Sequence, residues 1–222
     1  MFAELVRQAL AAPESEPADE FRQRILDAAL AQFTDFGLRR STMEDVARRA
    51  GLSRVTVYRR FSGKDELMEA VVLREVRRYF DGLTEVRSRA ADAEERVVES
   101  AAFSMSHLRA HPLLRRLIDT EPEAIVLRLS SEGDSLLKTA HEFTSAMILD
   151  EVCGSRPVPP GIAERVGVLA EVCVRLILSF VLNDRGVIPM STVDDAREFA
   201  RHYVAPVYAD LIARAAAAEE PA

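Results

Sequence analysis

Residues 41–64 read STMEDVARRAGLSRVTVYRRFSGK, and this stretch predicts two short helices joined by a tight turn. Ser41, with Glu44 three residues later, has the pattern of a capping box that begins a helix. We expect Gly51 to end that helix with a positive φ angle and Ser53 to cap the next one. Three residues have the spacing of a helix-turn-helix: Ala47, Gly51 and Val57.

The exposed face of the second helix is rich in groups that bind DNA. Arginine bonds guanine edges or phosphates, and hydroxyl groups bond phosphates. Five residues make up this face: Arg54, Thr56, Tyr58, Arg59 and Arg60. Residues 38–64 contain eight Lys or Arg side chains against two acidic ones. The alternative is a helical hairpin whose charged face is merely solvated.

The helix-turn-helix leads to VYRRF and then to SGKDEL, which begins a longer helix. This arrangement resembles the DNA-binding half of the TetR family of bacterial transcriptional regulators. The resemblance covers about residues 20–70. It differs at Gly63, where many members have serine, although glycine also caps helices. Lys64 lies in the first turn of its helix, where the helix dipole disfavours a cation. We therefore expect Lys64 to contact phosphate, as the resemblance also implies.

The recognition face and the resemblance together define the predicted DNA contacts. They are Ser41, Thr42, Ser53, Arg54, Val55, Thr56, Tyr58, Arg59, Arg60 and Lys64.

Composition favours an all-helical fold. The chain has 222 residues, 48% of them hydrophobic, and only 9 glycines. The net charge of −7 is unevenly placed: residues 20–64 carry ten basic and five acidic side chains, which leaves −12 for the rest. A basic module on an acidic body indicates a local nucleic-acid footprint.

The start of the chain has too short an apolar run for a signal peptide. Val166–Leu182 contains Glu171 and Arg175, so we expect no membrane span and a cytoplasmic location.

We expect three segments in an all-α chain. Residues 1–19 form a flexible extension without a DNA role, and residues 20–64 a three-helix helix-turn-helix DNA-binding domain. The resemblance implies that residues 65–222 form a helical ligand-binding and dimerisation domain. The predicted helices are Glu20–Phe36, which ends at Gly37, Lys64 to about Arg87, Ala93–Ala110, about 112–118, a short helix within 120–130, about 134–151, Ile162–Leu182 and about 193–216.

The last two helices are apolar on more than one side, so one stripe can serve the core while another needs a partner. In the last helix, Phe199, Tyr203, Val207 and Leu211 run beside Ala196, Ala200 and Val204. The resemblance implies a four-helix dimer interface here; the alternative is that both stripes are internal. The residues predicted for the interface are Val168, Val172, Leu176, Phe199, Tyr203 and Val207.

The body also offers candidates for a ligand pocket, on the architecture that the resemblance implies. They are Tyr79, Phe103, Met105, His107, Phe143, Met147 and Arg175. As a set they suit an apolar or amphipathic molecule, with Arg175 able to meet an anion. We expect a ligand to press on the fourth helix and tilt the recognition helix.

Other chemistry has weaker support in the sequence. His107 and His111 have a spacing that can bind a metal, but no metal motif surrounds them, so we predict no metal and no cofactor. Cys153 and Cys173 suit reduced buried thiols, with a redox sensor as the alternative.

The sequence thus predicts a homodimeric DNA-binding regulator, a repressor released from a palindromic operator by a small ligand. The rival hypotheses are a helical protein-binding module and an enzyme that uses the His107 and His111 region.

Overall fold

The computed structural model describes residues 20–122, 133–183 and 186–217, and all regular structure in these ranges is helical. The predicted all-α fold is therefore confirmed. The helices are α1 Glu20–Arg40, α2 Met43–Ala50, α3 Arg54–Tyr58, α4 Lys64–Arg89, α5 Ala93–Ala110, α6 Pro112–Thr120, α7 Gly133–Cys153, α8 Ile162–Leu182, α9 Val193–Phe199 and α10 Ala205–Ala217, with a π-helical turn over Ala200–Val204. The predicted extension 1–19 and most of the predicted helix within 120–130 lie outside the described residues.

Contacts divide the chain into two compact units. Among the described residues, the first comprises 20–78, 111–122 and 133–135, and the second comprises 79–110, 136–183 and 186–217. The predicted division at residue 64 did not anticipate that residues 111–120 belong with the helix-turn-helix.

The first unit is built on a core that α1 shares with the next helices. Its largest buried side chains are Ile25, Phe33, Val46, Val57, Phe61, Leu67 and Val71. Leu113 of α6 is buried in the same core, and Leu117 packs against it. Helix α6 is thus a structural part of this unit, although 47 residues separate Pro112 from Lys64 at the start of α4, a gap of about four average helices.

Helix α1 was expected to bury a stripe of five apolar residues. Ile25, Ala29 and Phe33 are fully buried, but Phe21 and Phe36 are about half exposed. The guanidinium groups of Arg24 and Arg60 lie over the Phe21 ring, at 5.9 and 5.2 Å from its centre. The two ends of the stripe therefore extend past the core, and Phe21 serves as a platform for cations.

Helices α5, α7, α8 and α10 form the core of the second unit. Its buried members include Val97, Ile148, Val166, Tyr208 and Leu211. Ion pairs tie the helices together at the rim: Glu151 of α7 accepts from Arg87 and Arg96, while Arg197 of α9 donates to both oxygens of Glu99, at 2.8 and 3.0 Å.

The π-helical turn changes which residues of the last helix are buried. Ala196 and Ala200 are buried as the helical period predicts, but the next buried residue is Ala205, five positions on. Val204 is only partly buried, and Leu211, predicted to share a stripe with Tyr203, lies in the core. A turn that spans five residues shifts the phase of the helix by one position, which accounts for both differences.

Candidate nucleic-acid interface

The helix-turn-helix begins at a cap one residue later than predicted. Thr42, rather than Ser41, is the N-cap of α2: its hydroxyl oxygen accepts from the Asp45 amide at 3.2 Å. The Asp45 carboxylate accepts in return from the Thr42 amide at 3.2 Å. The capping box is thus Thr42 with Asp45, not Ser41 with Glu44, because Ser41 points into the core. The hydrogen bond from the Thr42 hydroxyl also holds the pKa of Asp45 below its ordinary value.

The turn between the two helices has the predicted chemistry. Gly51 ends α2 with a φ of 64°, in the left-handed region that glycine adopts readily. Ser53 caps α3, and its hydroxyl accepts from the Thr56 amide at 3.1 Å. Val57 is fully buried and fixes α3 against the core. The orientation of α3 is therefore set by one glycine, one cap and one buried anchor.

The outer face of α3 is exposed. Val55 is 69% exposed, and Tyr58, Arg54 and Arg59 are exposed as well. Arg54 forms an ion pair with Glu44 of α2. This pair was not predicted, although residues 44–54 carry five charged side chains. Thr56 is partly buried, and its hydroxyl lies 2.8 Å from that of Ser53. Arg60 lies over Phe21.

Two predicted DNA contacts, Ser41 and Lys64, have side chains that bond the backbone at the junction between α1 and α2. Ser41 is 2% exposed, and its hydroxyl donates to the Gly37 carbonyl at 2.6 Å. Its side chain is therefore not available to DNA, which corrects the prediction for this residue. The Lys64 amine donates to the carbonyls of Leu38 and Ser41, at 2.6 and 3.2 Å. Lys64 thus has a structural role beside its predicted phosphate contact.

A further capping contact, which was not predicted, lies at the start of α4. The Glu66 carboxylate accepts from both the amide and the hydroxyl of Ser62, each at 2.6 Å. The hydroxyl bond is the main reason that the pKa of Glu66 is lowered. The serine lies four residues before the glutamate, one more than the spacing of a capping box, so that pattern did not indicate this contact.

In the second unit, four of the predicted ligand residues lie together. The rings of Tyr79, Phe103 and His107 pack within 5.1 to 5.8 Å of one another, and Phe143 joins them through Phe80. We call these five side chains the aromatic cluster. The hydroxyl groups of Tyr79 and Ser104 are 2.8 Å apart. Burial raises the pKa of Tyr79.

The other three predicted ligand residues differ from one another in their surroundings. Met105 is buried and Met147 is partly buried. Arg175 is exposed, and it pairs with Glu171 on the outer face of α8 at 2.7 Å. This position corrects the expectation that Arg175 faces an interior pocket. A cation four residues after a glutamate on a helix forms a surface pair without any partner element.

An open groove of about 620 Å³ lies between α8 and residues 203–211, which belong to the π-helical turn and the first half of α10; we call the span from α9 to α10 the last helical region. Five of the six residues predicted for a dimer interface line it: Val168, Val172, Leu176, Tyr203 and Val207. Phe199 packs instead between the rings of Phe180 and Tyr203, at 5.3 and 5.1 Å. Cys173 also lines the groove, and burial raises the pKa of its thiol to about 11.

The two histidines considered for metal binding have other contacts. His107 belongs to the aromatic cluster. His111 is the N-cap of α6, where Nδ1 accepts from the Leu114 amide at 3.3 Å. Over residues 20–122, 133–183 and 186–217, no three His, Cys, Asp or Glu side chains are grouped as a metal site would need. None of the helices in the described ranges has the length and apolar character to cross a membrane.

Comparison with known proteins supports this arrangement. Residues 25–71 match the family model of bacterial regulatory proteins of the tetR family. The HTH-type transcriptional regulator SrpR of Pseudomonas putida is 47% identical over 55 residues, which are 25% of this chain and 26% of that regulator's length. The uncharacterized HTH-type transcriptional regulator Rv1255c of Mycobacterium tuberculosis is 26% identical over 198 residues, 89% of this chain and 90% of that one.

Two solved structures share the fold. The TetR family repressor AlkX from Dietzia has a TM-score of 0.62 at 20% identity and covers 90% of this chain and 100% of its own. The fatty acid degradation regulator FadR from Bacillus halodurans has a TM-score of 0.54 at 15% identity, over 83% of this chain and 96% of its own. The capped helix-turn-helix falls within the matched segment, so residues 25–71 form a helix-turn-helix of the tetR family of bacterial regulatory proteins, on a chain whose all-α fold is shared with TetR-family structures.

Proposed function

We propose that this regulator is a homodimeric repressor that leaves a palindromic operator when a small, mainly apolar ligand binds. The observation that carries the proposal is the outer face of α3, where Arg54, Val55, Tyr58 and Arg59 are all exposed on a helix anchored by Val57. A rigidly held helix with arginine, hydroxyl and aliphatic side chains can read base edges in the major groove.

Base readout can be separated from general electrostatic attraction. If Arg59 reads a base, Arg59→Ala should cost about 1–3 kcal/mol of binding free energy, which is about tenfold or more in affinity, and should relax the base preference. Arg89→Ala is a matched control, since Arg89 is equally cationic but pairs with Glu85 in the second unit. The test is selection from random DNA, followed by anisotropy titration of the selected duplex at several salt concentrations. Selection that returned no palindrome would contradict the proposal.

Support for the homodimer comes from the groove between α8 and the last helical region. Tyr203 is 68% exposed, and Val168, Val172 and Val207 are also exposed large apolar side chains on this surface. Contiguous exposed apolar residues of this kind mark interaction sites. Charged residues border them, among them Glu164, Arg165 and Asp210. A second copy that presents the same face would bury both sets of apolar side chains.

The dimer can be tested at the centre of this face. Val172→Asp should yield a monomer at micromolar concentration in sedimentation analysis, because a charge would lie at an apolar contact. Val158→Asp is the matched control, since Val158 is also about half exposed but lies in the loop after α7, outside the groove. A Val172→Asp protein that remained dimeric would show that this groove is not the dimer interface.

The aromatic cluster supports the ligand-release part of the proposal. It combines four apolar or amphipathic rings, Tyr79, Phe80, Phe103 and Phe143, with polar groups at His107 and Ser104. Ligand sites are commonly apolar with a few placed polar groups. Helix α4 carries both Lys64, near the helix-turn-helix, and Tyr79, so one continuous helix reaches from one set of contacts to the other.

The ligand test uses compounds suggested by structural relatives. AlkX is implicated in biodegradation of n-alkanes, and FadR regulates fatty acid degradation, so alkanes and fatty acids are the first to titrate into a preformed DNA complex. Phe103→Ala should leave DNA affinity nearly unchanged and abolish release, because the ring packs within the aromatic cluster. By linkage, an inducer must bind less tightly when DNA is present. A compound that binds equally with and without DNA is not an inducer.

A further inference from the structure

The junction between α1 and α2 has a backbone geometry that only glycine adopts readily. Gly37 interrupts α1 with φ 80° and ψ 167°. A β-carbon at this position would lie 2.5 Å from Oε1 of Glu121, closer than real β-carbons approach. The position therefore excludes other residues twice, once through its φ angle and once through the presence of Glu121.

Glu121 satisfies the backbone group that follows the break. The Leu38 amide donates to Glu121 Oε1 at 3.1 Å, across 83 residues of sequence. Glu121 is 8% exposed, and its other carboxylate oxygen lies 4.0 Å from the Arg39 guanidinium. A hydrogen bond between a backbone amide and a carboxylate is stronger than one between neutral groups, and it weighs more where water is excluded.

Three other contacts hold the same short segment. The Ser41 hydroxyl donates to the Gly37 carbonyl, and the Lys64 amine donates to the carbonyls of Leu38 and Ser41. The next residue, Thr42, is the N-cap of α2. The backbone of residues 37–41 is thus fixed up to the residue at which the helix-turn-helix begins.

The position of Glu121 depends in turn on α6. Leu113 is buried in the core of the first unit and Leu117 packs against that core. The Glu121 amide donates to the Leu117 carbonyl at 2.9 Å, so the residue ends α6 in a defined position. A shift of α6 along its own axis would move the Glu121 carboxylate away from Leu38.

We infer that Glu121 is a positioning residue for DNA binding, and that α6 with Glu121 is a working part of the DNA-binding unit. The inference rests on the proposed role of α3 in binding DNA. Glu121 lies 50 residues beyond the segment 25–71 that the family model covers. Loss of its bond to Leu38 leaves the entry to α2 less well defined, and this lowers the fraction of molecules in which α3 is correctly presented.

The sign of the effect separates positioning from simple charge. Removal of any acidic side chain near DNA should strengthen binding slightly, because the phosphates repel it less. Loss of positioning should weaken binding. Glu121→Ala should lower affinity by about tenfold, the factor that corresponds to 1.4 kcal/mol, which lies just below the usual range for a hydrogen bond to a charged group. Glu121→Gln keeps an acceptor oxygen and should recover part of this loss.

The test measures affinity for the duplex that the wild-type protein selects from random DNA. Asp119→Asn is the matched control for charge, since Asp119 is exposed and only two residues away; it should not weaken binding. Val71→Ala is the control for stability, since Val71 is fully buried in the same core. Well below the melting temperature it should lower stability without changing the affinity of the folded fraction. Amide hydrogen exchange over residues 37–42 should accelerate in Glu121→Ala but not in Asp119→Asn.

A double-mutant cycle with Gly37 tests the geometry directly. Gly37→Ala should be more damaging in the wild type than in the Glu121→Ala background, where the clash with Oε1 is absent and only the φ strain remains. Additive effects, or wild-type affinity in Glu121→Ala, would overturn the inference while the DNA-binding proposal stands. A wild-type protein that bound no selected duplex would refute both.

Discussion

The ion pair between Glu44 and Arg54 should restrain DNA binding. Arg54 opens the recognition helix α3, and Glu44 of α2 is one of only two acidic residues between residues 38 and 64. While Arg54 is paired with Glu44, its guanidinium is partly neutralised and must leave the pair to bind DNA fully. Glu44→Gln should therefore increase affinity rather than reduce it.

The size of this effect follows from exposure. The Arg54 and Glu44 side chains are 65% and 40% exposed, and exposed pairs are worth about 0.2–1 kcal/mol. Release of Arg54 should then raise DNA affinity by at most about fivefold. If the released group binds a phosphate, the slope of log affinity against log salt should steepen by about 0.9.

The assay is anisotropy titration of a labelled duplex at several salt concentrations. Glu85→Gln is the matched control, because Glu85 pairs with Arg89 in a similarly exposed setting on the second unit. The gain in Glu44→Gln should largely vanish in the Arg54→Ala background, since no pair then remains to be released. A Glu44→Gln protein that bound DNA more weakly than the wild type would show that Glu44 holds Arg54 in a productive position.

Three further predictions concern caps, packing and the thiol. Thr42→Ala should lower the free energy of unfolding by about 1 kcal/mol in urea titration, as loss of an N-cap does. The folded-state pKa of Asp45 is depressed, so its contribution to stability should be complete above the ordinary carboxyl pKa and fade as pH falls through and below about 4. The thermal midpoint should therefore fall with pH over this range, and it should fall less steeply in Thr42→Ala. Gly82→Ala should cost about 1–3 kcal/mol in the same urea titration, because the new β-carbon would lie 2.5 Å from the Phe103 ring. With its pKa raised to about 11, the Cys173 thiol should react with iodoacetamide at pH 8 far more slowly than an exposed cysteine, as mass spectrometry can measure.

Features set by neighbouring residues could be predicted from the sequence. The ends of Ala93–Ala110 and Ile162–Leu182, the positive φ of Gly51 and the cap at Ser53 depend on residues within one or two helical turns. The cap of α2 was predicted one residue early, because serine at 41 and threonine at 42 offer equivalent hydroxyl groups. Only the packing of Ser41 against Gly37 decides between them.

Contacts between distant segments could not be predicted in this way. Glu121 and Leu38 are 83 residues apart, and nothing near either residue indicates the other. The same holds for the pair between Arg197 and Glu99, which are 98 residues apart. Arg175 is the converse case: an arginine in an apolar helix looks like a buried cation until Glu171 is seen to pair with it at the surface.

The last helical region shows why a correct periodicity can still assign the wrong face. A uniform period of 3.6 places Val204 after Ala200 in the core and sets Leu211 beside Tyr203. The five-residue step of the π-helical turn buries Ala205 instead, and the α-helical period then resumes through Tyr208 and Leu211. Because one extra residue lies in the turn, Tyr203 and Val207 remain exposed while Leu211 joins the core. The exposed apolar face is therefore narrower than the sequence implies. It ends at Asp210 rather than at Leu211, and the Asp210 carboxylate accepts from Arg214 at 2.6 Å.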